Sequence, residues 1–113
     1  MDLNEFQAEL VSRLSVLEFV ESWEISKKRT TLRIRVYLKK KGLLSVFYNM
    51  VLRIQSFALI INKERVWGLD RDNKFDWHEH TTNNPEIHKS IEPHSIEQII
   101  GKLVKVWSQI HKE

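Results

Sequence analysis

The stretch that decides the fold is Leu32-Arg33-Ile34-Arg35-Val36-Tyr37-Leu38-Lys39. Its apolar residues stand at every second position, and in an extended chain successive side chains point to opposite faces. Leu32, Ile34, Val36 and Leu38 therefore share one side, and Arg33, Arg35, Tyr37 and Lys39 share the other. The result is a half-buried strand with one dry face and one basic face. Something apolar must cover the dry face.

Two amphipathic helices can do so. Leu3, Phe6, Leu10, Leu14 and Leu17 recur at three- and four-residue intervals behind Asp2 and Glu5, which stand at capping-box spacing, so a helix is expected over 3–17. Ser95 and Gln98 repeat the capping signature ahead of Ile96, Ile99, Ile100, Leu103, Val104, Trp107 and Ile110, which predicts a second helix over 96–111. Between the helices the period stays near two. Lys41-Gly42 reads as a turn, 44–50 and 54–61 as further strands, and Asn62, Lys63 and Glu64 as the turn into 65–69. A weaker strand is expected over 19–26. The 54–61 strand is apolar on both faces, as a central strand should be. Trp23, Trp67 and Trp107 lie in these periodic elements and read as core. The order of elements predicts a single α+β domain over 1–113, with a roughly five-stranded, mainly antiparallel sheet and both helices on one face.

Composition agrees with one folded domain. The chain has 113 residues, 42% of them apolar and 29% charged, with no cysteine. Without cysteine there is no disulfide framework, thiolate nucleophile or Cys-ligated zinc, which fits a reducing cytoplasm and leaves His and carboxylates to hold any metal. The sequence opens on Asp2, Asn4, Glu5 and Glu9, and its longest apolar run is only 57–61. Neither a signal peptide nor a membrane contact is expected, and the expected location is cytoplasmic. No Walker loop, GxGxxG, GxSxG or HExxH is present, so nucleotide hydrolysis, dinucleotide redox chemistry and serine hydrolysis have no sequence support. The net charge of +3 conceals an uneven distribution: −5 over residues 1–24, +10 over 25–66 and −2 over 67–113. Positive potential is concentrated in the middle of the chain.

Residues 70–94 show no sustained periodicity and hold both prolines and four of the five histidines. A long connection in a small domain is a natural place for chemistry. Its sharpest feature is Asp76-Trp77-His78-Glu79-His80. If this run is extended, Asp76, His78 and His80 face the same side, and His88 and His94 are expected to fold back towards them. Such a cluster suits two chemistries. One is a divalent metal held by two His and one carboxylate, as zinc, manganese or iron would be. The other is metal-free acid–base catalysis by imidazole. The plain alternative is a solvated loop in which the histidines satisfy local backbone groups. Asp70 and Asp72 would orient a histidine, assist a metal, or simply form a turn. Trp77 would wall the site, stack on a base, or fill the core.

Arg33, Arg35 and Lys39, with Tyr37 among them, form the second candidate site; Lys27, Lys28, Arg29, Lys40 and Lys41 crowd the strand ends. A sheet face that mixes Arg with an aromatic ring suits single-stranded nucleic acid. Docking of an acidic protein, or a solvated face that blocks edge aggregation, would use the same residues.

Several stretches together resemble a known family. They are residues 32–38, then Phe47-Tyr48-Asn49, Ser56-Phe57-Ala58-Leu59-Ile60 and Arg65-Val66-Trp67-Gly68-Leu69-Asp70, followed by Asn84-Pro85-Glu86-Ile87-His88 and His94 ahead of the last helix. In order and placement they are similar to the TumE toxins of prokaryotic toxin–antitoxin pairs, over about residues 20–110. The members of that family carry tighter clusters of adjacent histidines than His78, His80, His88 and His94 form here. The resemblance implies a toxin held off by a cognate antitoxin and directed at RNA or translation. A ribonuclease would lay RNA along Arg33, Arg35 and Lys39, with His78 or His80 taking a proton from the 2′-hydroxyl and another His protonating the leaving oxygen. A non-catalytic module binding nucleic acid or protein through the basic face is the alternative, and either leaves room for a homodimer.

Overall fold

The computed structural model describes residues 1–84 and 86–112. Pro85, part of the string that carries the family resemblance, lies outside the described residues. Helix α1 (Leu3–Leu14) is followed by strands β1 (Val20–Lys27), β2 (Thr31–Leu38), β3 (Gly42–Asn49), β4 (Ile54–Ile61), β5 (Glu64–Asp72), β6 (Asp76–His80) and β7 (Lys89–Ser90), and then by helix α2 (Ile96–Ile110). The strands form one antiparallel meander in sequence order.

Both helices start where the capping residues predict. Asp2 and Glu5 exchange side-chain and backbone hydrogen bonds, as do Ser95 and Gln98, so each helix satisfies two of its free N–H groups. Helix α1 ends at Leu14 rather than at residue 17, with Ser15 as its cap. Leu17 still packs against the core from outside the helix.

The register keeps each face consistent across the sheet. Ile34 faces Val46, Val46 faces Phe57, Phe57 faces Leu69, and Leu69 faces Glu79. This row and its neighbours form the dry side, closed by Phe6, Leu10 and Leu14 of α1 and by Ile99, Leu103 and Trp107 of α2. Phe6 stacks on Tyr48 at 4.2 Å between ring centroids. Burying each such side chain contributes about 1.5–3 kcal/mol, which sets the two helices on one face as expected. No helix among the described residues is long and apolar enough to cross a membrane.

Among the described residues the sheet has seven strands, not five. The two additional ones, β6 and β7, fall inside the stretch expected to be loop, and β5 runs on to Asp72. Strand β6 escapes an apolar-periodicity reading because its most buried residues are His78, Glu79 and His80, which are polar. The β2–β3 turn also differs. Lys40 and Lys41 occupy its centre with φ of 54° and 61°, and Gly42 opens β3.

Candidate functional site

Opposite the helices, the sheet has an outer face covered by neither helix. One cross-strand row runs Ser26, Arg33, Phe47, Ser56, Asp70, His78 and Ser90; the next runs Glu24, Arg35, Ser45, Ala58, Gly68 and His80. The basic strand and the histidine segment, far apart in sequence, thus lie on one surface. Four strand spacings separate β2 from β6, about 19 Å.

At the β5–β6 end the side chains converge on Asp70. Its Oδ2 lies 3.3 Å from His78 Nε2, 3.3 Å from His80 Nε2 and 3.3 Å from Arg65 Nη2. Its Oδ1 accepts a 2.6 Å hydrogen bond from Ser56 Oγ. Asp72 Oδ2 stands 3.9 Å from His78 Nε2. Burial pushes the Asp72 carboxyl up, but backbone N–H groups of Phe75 and Lys74 donate to it and, with His78 and His88 nearby, hold it below its usual range. It therefore stays ionised at neutral pH.

Each histidine has an identifiable position. His78 and His80 are buried, at 2% and 5% exposure. The loop between β6 and β7 folds His88 back over them, with its ring centroid 4.9 Å from His78 and 4.6 Å from His80. Phe75 stacks on the outer side of His88 at 4.1 Å, while His88 itself remains exposed. The Nδ1 of His78 lies 3.0 Å from the Asp76 carbonyl oxygen, which favours a proton on Nδ1 and turns Nε2 towards the cluster. An open cleft of about 840 Å³ reaches His80, His88, Arg65 and Glu86 from solvent.

Scans against protein-family models, curated proteins and solved structures gave no match.

Of the residues expected to act together, His78, His80 and His88 meet, and His94 does not. Trp77 points to the helix side, and His94 lies there with it, at a ring separation of 6.3 Å and bonded through Nδ1 to the Glu92 carbonyl at 2.6 Å. Alternation places Trp77 across the sheet from His78 and His80, and His94 lies beside it. Asp76 also departs from expectation. Its φ of 53° breaks the regular strand, and its carboxylate pairs with Arg71 Nε at 3.2 Å, so only its carbonyl reaches the cluster. Asp70 supplies the carboxylate instead.

On the basic strand, Arg33 and Arg35 are exposed and Tyr37 is half-buried. The Arg33 guanidinium lies 5.0 Å over the Phe47 ring. Lys39 stands past the end of β2, with Nζ 3.9 Å from Glu18, so it extends the basic edge rather than the row.

Contributors that the sequence does not single out include Phe47 and Arg65. Phe47 falls on the outer face only once the β2–β3 register is known. Arg65 depends on an irregularity: residues 65 and 67 would share a face in a regular strand, but the register slips between Leu59 and Ile60. That bulge sends Arg65 outward to Asp70 and Trp67 into the core. Gly68 completes the arrangement, since a Cβ there would stand 2.0 Å from Arg65 Nη2.

Behind the cluster, Glu79 anchors β6 to the core. It accepts from Trp67 Nε1 at 2.9 Å and from Lys102 Nζ at 2.7 Å. Burial pushes the Glu79 carboxyl up, but these two hydrogen bonds and the Lys102 charge outweigh it and hold the group below its usual range.

Proposed function

We propose that the protein binds single-stranded RNA across the outer face of its sheet and cleaves it at the His78, His80 and His88 cluster, as the toxin of a toxin–antitoxin pair. One observation carries the proposal: the cross-strand row that holds Arg33 and Phe47 also holds Asp70 and His78. Phosphates pair with exposed arginines, and bases stack on aromatic rings at little cost in sequence preference. Arg33, Arg35, Tyr37 and Phe47 supply both kinds of contact. A strand held there and run across the sheet arrives at the cleft beside His80, His88 and Arg65. Arg65 places a cation where a phosphate undergoing attack gains charge.

The resemblance to TumE toxins supports the same conclusion. A cognate antitoxin that covers this face would block both RNA binding and the reaction centre.

Tightly controlled induction in a bacterial host tests the proposal. The wild type is expected to arrest growth with loss of intact RNA, whereas His88→Ala and Arg33→Ala/Arg35→Ala, all at exposed positions, grow normally at equal soluble expression. Normal growth with the wild type, or arrest by both variants, would overturn it.

A further inference from the structure

We infer that His78, His80, His88 and Asp70 form a binding site for one divalent transition metal of the zinc class. The inference deepens the proposed reaction centre, and the metal's part in RNA cleavage rests on that proposal; the binding itself does not.

Ligand spacing is the first support. Nitrogen and oxygen ligands about 2.0–2.1 Å from a tetrahedral ion stand about 3.3 Å from one another. Asp70 Oδ2 lies 3.3 Å from both His78 Nε2 and His80 Nε2. A ring nitrogen from each of the three histidines lies within 4.8 Å of the others, so His88 completes the set on the exposed side.

The surrounding contacts give a second support. Metal-bound histidines commonly donate their other ring N–H to a carbonyl or carboxylate, and metal-bound carboxylates are themselves hydrogen-bonded. His78 Nδ1 meets the Asp76 carbonyl at 3.0 Å, and Asp70 Oδ1 is held by Ser56 Oγ at 2.6 Å. With Nδ1 engaged there, Nε2 is the His78 ring nitrogen that faces Asp70 Oδ2, as a ligand atom must.

Donor chemistry then selects the ion. Three imidazoles and one carboxylate suit zinc and its first-row neighbours, whereas calcium and magnesium prefer oxygen alone. Three neutral imidazoles, one carboxylate and a divalent ion carry a net positive charge. With Arg65 beside them, the site would attract a phosphate oxygen entering through the cleft.

The test uses the full-length, untagged protein after removal of metal with a chelator. Titration with zinc chloride should show one ion per chain, and cobalt(II) should give the intense visible bands of a tetrahedral site. His88→Ala and Asp70→Asn should each weaken zinc binding by about 10- to 100-fold or more, while His94→Ala, across the sheet, should not change it. No zinc uptake by the folded wild type, or uptake equally unaffected in His88→Ala and Asp70→Asn, would overturn the metal site. The two proposals fail separately. Zinc binding without RNA cleavage leaves the metal site and removes the ribonuclease, whereas chelator-resistant cleavage without zinc uptake does the reverse.

Discussion

Replacing Glu79 with Ala should destabilise the protein by about 3 kcal/mol. Trp67 is 1% exposed, so the substitution leaves its Nε1–H without its acceptor, which costs about 1–3 kcal/mol. The Lys102 contact adds less, about 0.5–1 kcal/mol, because the lysine side chain is 33% exposed and rehydrates when freed. Glu79→Gln keeps an acceptor for Trp67 and should cost about 1 kcal/mol. Urea unfolding at pH 7 measures both, and about 3 kcal/mol corresponds to a melting point lower by about 12 °C in a domain of this size. The pH dependence has a definite sign. A carboxyl held below its ordinary value of 4.5 stabilises the fold above that value, and loses the effect as pH falls through the lower folded-state value. The gap between wild type and Glu79→Gln should therefore persist at pH 5 and close only in stronger acid. A Glu79→Gln variant as stable as wild type at pH 7, or a gap unchanged in strong acid, would refute this reasoning.

Other substitutions probe the outer face and the turns. Gly68→Ala should displace the Arg65 guanidinium from Asp70 and lower RNA cleavage while the melting point changes little, since the clash is with the end of a flexible side chain; rate and thermal unfolding are measured together. Arg33→Ala/Arg35→Ala should weaken RNA binding and flatten the logarithmic salt dependence by about 1.4, two phosphate contacts' worth, in a titration at several salt concentrations. Lys40→Asn/Lys41→Gly should stabilise the fold by about 1–2 kcal/mol in urea unfolding, because both lysines sit at positive φ at the centre of the turn closed by the Gly42 N–H to Lys39 carbonyl bond, a conformation that Asn and Gly adopt with less strain.

Much of the fold was legible because apolar residues report their own burial. Leu32, Ile34, Val36 and Leu38 set one strand and its orientation, and Asp2 with Glu5 and Ser95 with Gln98 set the helix starts. Strand β6 carries no apolar strand signal because its inward Glu79 and outward His78 and His80 are polar, and their burial depends on partners from distant segments: Trp67, Lys102 and Asp70. The meeting of His78 with His80 followed from alternation alone, whereas the placement of His88 required the fold of a loop. Asp76 failed as the site carboxylate because alternation assumes a regular strand, and its positive φ breaks that assumption. Arg65 stayed hidden for the same reason, since a bulge reverses the face that spacing assigns.

The most direct measurement is the cleavage of labelled single-stranded RNA by the purified protein, compared with His88→Ala and Arg33→Ala/Arg35→Ala, with RNA affinity measured alongside. The expected result is cleavage by the wild type, a loss of about 100-fold or more in His88→Ala with affinity retained, and weaker binding in the arginine variant. RNA binding with no cleavage, or cleavage unchanged in His88→Ala, would contradict a reaction centre at the histidine cluster.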